Sequence, residues 1–392
     1  MRILFVGMSD SIHIARWISQ VVDQDWEIYL FPSYGTNPRP EFRQITIFGA
    51  SPVRSPVLSK SVCYVWWTFI YYYLDILEKQ ITHKYSNKYK KMALAQVIRI
   101  IKPDIVHSIE FQSAAYLTLE AKNELGDAFP VWIVTNWGSD IFLFGRLASH
   151  KERVRQILLN CDYYLCECER DVFLAKKMGL KGKVLPRFIG SSGFDVDRCI
   201  KLQSVPPSLR KGILLKGYQH WAGRALVALE ALRRCESKLE GYTIIIYSAT
   251  EDVKIAAELF TQDTNIPIEV VSEVTHEEML RYYGVSRIYI GLSISDGLSN
   301  SMLEAMVMGT FPIQSSTVCN DGWISDGLNG FLVPAEDPDE IAKAIRQAVE
   351  DNHLVDSAAQ INIQIMKEKA DKKMVQDQVI QIYQDIFSSK DS

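Results

Sequence analysis

Two carboxylates separated by seven residues are the strongest candidates for chemistry in this chain. Asp296 follows an apolar run typical of a buried strand, and Glu304 lies in the helical stretch that comes next. The pattern predicts that the helix begins near Leu298 or Ser299 and ends at Gly309. Because carboxylates accept hydrogen bonds from hydroxyl groups, this stretch favours a ligand that carries several hydroxyls.

The start of the same helix predicts a site for phosphate. The first turn of a helix has N–H groups without intrahelical partners, and the helix dipole makes that end positive. A strand, a turn, a helix start and two acids therefore indicate a ligand that is both phosphorylated and polyhydroxylated.

The stretch resembles a motif of the GT4-type retaining glycosyltransferases, often written E-G-x-x-N-x-x-x-E-A-M-x-x-G-x-P. The chain departs from it at the first acid, which is Asp instead of Glu. The resemblance extends from Arg2 to about Val349 and implies the GT-B fold. In this chain the motif reads Asp296-Gly297-Leu298-Ser299-Asn300-Ser301-Met302-Leu303-Glu304-Ala305-Met306, followed by Gly309 and Pro312.

The resemblance implies a role for each residue of the motif. Glu304 is expected to bind the ribose hydroxyls of the donor, and Asp296 to contact the transferred sugar as part of the catalytic site. The alternative is that Glu304 is a solvated helix residue and Asp296 an N-cap. Backbone N–H groups of the turn are expected to face the sugar and the phosphates; these donor-binding residues are Gly297, Leu298, Ser299, Asn300 and Ser301.

The cations expected for the diphosphate are displaced. The family usually shows G-R-x(4)-K-G after the first strand of its second domain, but Tyr218 and Gly223 stand at the Arg and Lys places. Lys216 and Arg224 lie one residue away from these places, and we expect them to supply the positive charge for catalysis. The alternative is a strand-end lysine and a helix-surface arginine.

The first part of the chain supplies the remaining candidates. Gly7 ends the first predicted strand, where a glycine lets the backbone approach the donor. The segment from Ser9 to Trp17 takes the place of the family's first glycine-rich loop, so Ser11 and Arg16 are expected to contact the acceptor or sugar.

Two further segments resemble sugar-contacting loops of the family. Lys102 to Glu110 resembles P-D-[IV]-[IV]-H-x-H-x, with His107 present and the second histidine replaced by Ile109. We expect Glu110 to act in catalysis there and His107 to contact the sugar, unless His107 is a buried strand-end residue. Asp140 is a candidate sugar or acceptor contact, with helix capping as the alternative.

Alternating strands and helices must position these residues. This alternation predicts an α/β fold with two Rossmann-like, doubly wound parallel-sheet domains, which in GT-B proteins face a central cleft. We expect an N-terminal acceptor-side domain over 1–205 and a sugar-nucleotide-binding domain over 206–371. The resemblance implies that the final helix, 372–392, packs back on the first domain.

The overall composition excludes some classes of protein. The chain has 392 residues, 47% hydrophobic and 23% charged, with a net charge of −4, which argues against a nucleic-acid partner. The N-terminal residues lack the features of a signal peptide, so a cytoplasmic location is expected. Residues 62–91 combine aromatic residues with lysines such as Lys79, Lys84 and Lys90, which favours either peripheral contact with the inner face of the plasma membrane or a buried helix followed by a solvated basic helix.

These features together predict a metal-independent, retaining glycosyltransferase with no cofactor. Its donor is expected to be a nucleotide sugar, with UDP favoured as the commoner nucleotide, and its acceptor a glycan or a lipid-linked glycan of the cell surface. A D-x-D sequence at Asp195 falls in the interdomain segment and is not predicted to bind metal. Two other classes stay open: a sugar-nucleotide epimerase of similar fold and a non-catalytic protein that binds a sugar nucleotide.

Overall fold

The structure is a computed structural model that describes residues 1–34, 37–51, 53–82, 88–187, 189–190, 192–203, 205–320 and 322–389. It divides into two compact units, one of Met1–Ser192 with Gln376–Ser392 and one of Gly193–Val375. The division therefore comes earlier in the chain than the expected boundary at 205/206. The reason is local packing: Arg198 pairs with Glu277, and Gln203 Nε2 donates to the Val307 carbonyl, so this segment is part of the second unit.

The described residues of the first unit contain an eight-stranded parallel sheet. The strands lie in the order β4-β3-β2-β1-β5-β6-β7-β8, so the chain winds outwards in both directions from β1 and β5. Their apolar residues are buried because helices cover both faces of a sheet of this kind. The strands are β1 (Arg2–Gly7), β2 (Glu27–Pro32), β3 (Thr46–Phe48), β4 (Cys63–Val65), β5 (Ile105–Ile109), β6 (Val131–Thr135), β7 (Tyr163–Leu165) and β8 (Lys183–Val184).

The helices of the first unit bury one apolar side each. In the first of them, Ile14, Trp17 and Ile18 recur at helical spacing and are buried. They are α1 (Ile12–Ser19), α2 (Phe69–Thr82), α3 (Lys88–Ile101), α4 (Tyr116–Leu125), α5 (Gly138–Phe142), α6 (Ala148–Asn160) and α7 (Glu169–Lys177).

The second unit repeats the architecture on a smaller scale. Its described part contains a six-stranded parallel sheet in the order β11-β10-β9-β12-β13-β14. The strands are β9 (Gly212–Lys216), β10 (Thr243–Tyr247), β11 (Ile268–Val271), β12 (Ser286–Gly291), β13 (Phe311–Ser315) and β14 (Phe331–Val333). The helices are α8 (Val196–Leu202), α9 (Ala225–Arg233), α10 (Glu251–Thr264), α11 (His276–Val285), α12 (Asn300–Val307), α13 (Pro338–Glu350) and α14 (Asn352–Lys369). The predicted fold class, two α/β domains on parallel sheets, is confirmed.

The last helix, α15 (Lys372–Ser388), completes the core of the first unit. From Gln376 onwards it belongs to that unit. Its buried residues Val379, Ile382 and Tyr383 join the cluster that covers one face of the first sheet. Trp17 Nε1 donates to the Tyr383 hydroxyl over 2.8 Å, which anchors the helix to α1.

The aromatic and basic segment at 62–91 matches neither expectation completely. Its first residues form the edge strand β4, since three residues in a row pair with β3. Helix α2 buries Tyr72 but exposes Ile70 and Tyr73. Lys90 is buried, so α3 is not a fully solvated basic helix.

The membrane hypothesis also depends on two basic residues, His83 and Lys84, which lie outside the described residues. Among the residues that are described, no helix combines the length and the apolar character needed to cross a bilayer.

Candidate functional site

Neighbouring strands β9 and β12 bring two loops to one edge of the second sheet. Arg224 N donates to the Leu292 carbonyl, and Ile294 N donates to the Ala222 carbonyl, each over 3.0 Å. Ligands of parallel sheets bind at the carboxyl ends of the strands. The two tied loops therefore form the edge at which the predicted donor residues meet.

Lys216 and Asp296 meet at this edge. Lys216 Nζ lies 3.7 Å from Asp296 Oδ2, and both side chains remain partly exposed. Asp296 Oδ1 accepts from Gly297 N over 2.9 Å. The N-cap of α12 is Ser299, whose hydroxyl accepts from Met302 N, so Asp296 does not cap the helix. A cation and a carboxylate thus lie next to a helix start, which is the arrangement expected for a ligand with phosphate and hydroxyl groups.

Glu304 is held by a residue from the neighbouring helix. Its side chain is 11% exposed, and Oε1 lies 2.9 Å from His276 Nε2. His276 is the first residue of α11, and a capping box between Thr275 and Glu278 fixes that helix start. Glu304 is therefore a carboxylate held in one orientation, and it is not the solvated helix residue named as the alternative.

Three buried tyrosines lie beneath these polar residues. Tyr247 accepts from the Tyr283 hydroxyl over 3.2 Å, and Tyr289 packs against Tyr283. Burial raises the pKa of all three phenols well above the usual value, so they stay neutral. The base of the site is thus uncharged, and its charge lies in the side chains around it, among them Lys216, Asp296 and Glu304.

Arg224 is less available than the sequence suggested. Its Nε donates to Glu336 over 2.8 Å, and its Nη1 donates to the carbonyls of His220, Ala222 and Gly223. The guanidinium therefore supports the loop that precedes α9 as well as adding positive charge to the edge.

The glycine that replaces the usual lysine has a steric cause. A Cβ atom at Gly223 would lie 2.3 Å from the Tyr218 carbonyl oxygen. No side chain fits there, so the cation has to come from a neighbouring position.

The predicted turn residues lie around the start of α12. Gly297 and Leu298 are buried in the turn, and Asn300 and Ser301 are the first two helical residues with partly exposed surfaces. The helix begins one or two residues later than predicted, and its N-terminal end lies beside Asp296.

In the first unit, three predicted residues lie at the end of β1 and the start of α1. Gly7 ends the strand, and a Cβ atom there would lie 2.4 Å from the Ile14 Cδ1 atom. A larger residue at this position would therefore displace the end of the Ile14 side chain. Ser11 is the N-cap residue of α1 without a side-chain cap bond, and Arg16 is partly exposed on that helix.

Glu110 and Asp140 turn inwards instead of towards a ligand, which corrects the expected catalytic role of Glu110. The Glu110 carboxylate accepts from Ser113 N over 2.9 Å and Ala114 N over 2.5 Å, and Glu110 itself has a φ of 76°. Asp140 Oδ2 accepts from Trp137 N over 2.8 Å and Phe111 N over 3.1 Å. Both acids serve the turns that follow β5 and β6.

The two acids also perturb each other. Burial raises the pKa of Glu110, and burial together with the nearby Glu110 raises the pKa of Asp140 well above its usual value. Two buried like charges are unfavourable, so each of these carboxyls loses its proton less readily than an exposed one.

His107 lies inside the first unit and is not a sugar contact. Its Nδ1 lies 2.6 Å from the Tyr383 hydroxyl, and its Nε2 lies 2.6 Å from Thr135 Oγ1. Burial lowers its pKa to about 3, so the ring is neutral. Both nitrogens are used to join β5, β6 and α15, which is the structural alternative named for this residue.

The sequence interpretation missed two histidines. His276 follows a strand and begins a helix with a clear T-x-x-E capping signal, but its contact with Glu304 joins residues 28 positions apart. His220 lies in the loop before α9, where its Nδ1 accepts from Ala222 N over 3.0 Å. Lys216 lies close enough to help lower the pKa of His220 after the larger effect of burial.

Two family profiles match the chain. The profile of the glycosyl transferases group 1 matches residues 212–351, which include the whole of the edge just described. The profile of the glycosyl transferase 4-like family matches residues 71–165 in the first unit.

One curated relative and two solved structures are similar to the chain. An uncharacterized glycosyltransferase of Methanocaldococcus jannaschii is 31% identical over 116 residues, which span 29% of this chain and 30% of that protein. Sucrose-phosphate synthase from Thermosynechococcus elongatus superimposes with a TM-score of 0.69 at 14% identity, over 99% of this chain and 100% of that one. HepE from Anabaena, solved in complex with UDP-glucose, gives a TM-score of 0.69 at 11% identity, over 98% and 100%. At these identities the solved structures establish a shared fold.

Proposed function

We propose that the chain transfers a sugar from a nucleotide sugar to a glycan or lipid-linked acceptor, because glycosyl transferase profiles match residues 212–351 and 71–165 and the chain shares the GT-B fold of solved glycosyltransferases. The observation that carries the proposal is the edge of the second sheet. There Lys216 and Asp296 lie 3.7 Å apart beside the start of α12, and Glu304 is held by His276 over 2.9 Å.

Each group suits one part of a nucleotide sugar. Lys216, with the helix start, would neutralise the charge that grows on the leaving diphosphate. Asp296 would accept from a hydroxyl of the transferred sugar, and Glu304 from the ribose. We propose UDP as the nucleotide because HepE, which shares the fold, was solved with UDP-glucose.

We further propose that the transfer retains the anomeric configuration and needs no metal. The bond between the sugar C1 and the diphosphate oxygen breaks, and the acceptor oxygen bonds to C1 on the same face. The acceptor proton goes to the leaving diphosphate. In this scheme basic side chains and backbone N–H groups replace the metal ion as the stabilising charge.

A ligand panel tests the donor. UDP, GDP, dTDP and their hexose conjugates are added to the protein, and the unfolding temperature is measured, since a ligand that binds only the folded state raises it. We expect a shift with UDP and UDP-hexoses, unchanged by EDTA. No shift with any nucleotide would contradict the proposal.

Product analysis separates transfer from the two alternative activities. The preferred donor is incubated with a lipid extract that contains hydroxyl-bearing acceptors. We expect a glycoside whose anomeric proton shows in NMR the same coupling constant as the anomeric proton of the donor. Release of an altered UDP-hexose without acceptor would favour an epimerase. Binding without transfer or slow donor hydrolysis would favour a non-catalytic protein.

On the acceptor side, we propose contacts through Ser11, the N-cap residue of α1, and Arg16, which lies in the last turn of that helix; both keep partly exposed surfaces. We also propose that α2 touches the inner face of the plasma membrane, which would place the protein in the cytoplasm. Ile70, Tyr73 and Ile76 recur every third residue along α2 and are each about half exposed.

Vesicle sedimentation tests the membrane contact. The variant Tyr73→Glu is expected to weaken binding to phosphatidylglycerol vesicles, whereas Leu259→Glu, an exposed change on α10 of the second unit, leaves it unchanged. Equal sedimentation of both variants would contradict this part of the proposal.

A further inference from the structure

The loop between β9 and α9 carries three aromatic rings in a row. The ring centroids of Tyr218 and His220 lie 5.5 Å apart, and those of His220 and Trp221 lie 5.4 Å apart. Tyr218 is 40% exposed and Trp221 is 57% exposed. A contiguous patch of exposed apolar surface often marks a place where a ligand or partner binds. We call these three residues the aromatic row.

Hydrogen bonds fix the loop that carries the row. The Tyr218 carbonyl accepts from Ala225 N over 3.2 Å, and Gln219 Oε1 accepts from Leu226 N over 3.2 Å. Gly223 packs against the Tyr218 carbonyl so closely that a Cβ atom would collide with it. The rings are therefore presented by a closed loop, and a ligand would not have to order it first.

The row lies next to the charged groups of the donor edge. Lys216 Nζ lies 4.9 Å from the centre of the Tyr218 ring and 3.7 Å from Asp296 Oδ2. Gly223 also pairs with Ser293, which precedes Asp296 in the neighbouring loop. One surface thus combines apolar ring faces with a cation and a carboxylate at its border.

This combination matches the two surfaces of a hexose. One face of a pyranose ring presents C–H groups, which pack on aromatic rings, while its edge presents hydroxyls, which bond to charged side chains. The ribose end of a donor is assigned above to Glu304 and His276, whereas the row adjoins Lys216, the proposed phosphate cation, which also pairs with Asp296, the proposed contact of the transferred sugar.

We infer that the aromatic row binds the face of the hexose in the nucleotide-sugar donor and so contributes to the choice of sugar. The inference rests on the proposed function, because it assigns a part of the same donor to this surface. Tyr218 stands where the family usually has arginine. In this inference Tyr218 contacts the hexose of the donor, whereas the arginine would contact the phosphate.

The test compares a UDP-hexose with UDP. Dissociation constants are measured by calorimetry for wild type, Trp221→Ala, Trp221→Phe and the control Leu259→Ala, using the UDP-hexose that most raises the unfolding temperature of wild type above that given by UDP. We expect Trp221→Ala to lower the affinity gain of UDP-hexose over UDP by about twofold to twelvefold, since aromatic contacts contribute about 0.5–1.5 kcal/mol. Trp221→Phe, which keeps a ring, and Leu259→Ala should keep most of the gain.

Other outcomes would overturn the inference. An unchanged gain in Trp221→Ala, or equal losses for UDP and UDP-hexose, would show that the row does not bind the hexose. The same conclusion holds if no UDP-hexose binds wild type better than UDP does. Failure of wild type to bind any nucleotide would overturn the proposed function, and this inference with it. Equal unfolding temperatures of the unliganded variants show that the loop change leaves the fold intact.

Discussion

The contact between His276 and Glu304 gives a prediction that depends on one atom of the ligand. Replacing His276 by alanine removes the ring nitrogen that lies 2.9 Å from Glu304 Oε1. The carboxylate then has more freedom to rotate away from the ribose. If Glu304 binds the ribose hydroxyls, UDP should bind more weakly to His276→Ala, and the loss should disappear when the ribose lacks its 2′-hydroxyl.

The magnitude follows from the geometry. A hydrogen bond to a charged group contributes about 1.5–3 kcal/mol. The buried Glu304 carboxylate can accept such a bond from a ribose hydroxyl only if its orientation is fixed. We expect His276→Ala to lose about 1–1.5 kcal/mol of that, or roughly fivefold to tenfold in the dissociation constant for UDP. His276→Gln, which still offers an N–H, should lose less.

Calorimetry with UDP and 2′-deoxy-UDP measures the effect. Wild type should bind 2′-deoxy-UDP more weakly than UDP, and the difference between the two ligands should be about fivefold to tenfold smaller in His276→Ala. His353→Ala is the matched control, since His353 is an exposed histidine in the first turn of α14 in the same unit. Equal weakening of both ligands by His276→Ala would refute the reasoning, because it would show a structural effect that does not act through the ribose.

Three further changes have expected outcomes. Lys216→Ala should lower UDP affinity and turnover by at least about tenfold. The unfolding temperature should change by only about 2 °C, because partly exposed ion pairs add little stability. Normal kinetics of this variant would rule out the proposed role of Lys216. The pKa of Asp140 is raised in the folded state, so its stabilising proton is present in acid and is lost as pH rises. Asp140→Asn, whose single amide oxygen can accept both backbone bonds, should flatten the decline in unfolding temperature above pH 5, and a curve parallel to that of wild type would contradict the assignment. The pKa of His107 is lowered to about 3, so stability should fall below about pH 6.5, where the unfolded histidine gains a proton; His107→Gln should reduce that slope in urea unfolding, and an unchanged slope would exclude the buried neutral ring.

The sequence was sufficient to predict the fold class, and it predicted that Lys216 and Asp296 lie at strand ends near one helix start. Strands and helices alternate with clear periods, and the spacing between Asp296 and Glu304 places both acids around one helix start. Lys216 was placed correctly at the strand end because a parallel strand exposes its carboxyl end. Such features depend on local patterns, which a sequence displays directly.

The orientation of the acids in the first unit was not predictable in the same way. Glu110 follows β5 and His107 lies within it, near the strand end where a site residue is expected, but their side chains bond inwards to groups brought together by the fold. The Tyr383 hydroxyl that holds His107 lies 276 positions away. We did not predict strand β4, because a strand of three residues within an aromatic run is too short to show the two-residue alternation of a strand.

The C-terminal helix has a consequence for the order of synthesis. The first unit begins at Met1, yet Val379, Ile382 and Tyr383 of its core are made only after the whole second unit. The nascent N-terminal sheet therefore waits on the ribosome with one apolar face incompletely covered while the entire second unit is synthesised. The domain that is made first is completed last, and chaperone binding to nascent chains should persist until the final helix has left the exit tunnel.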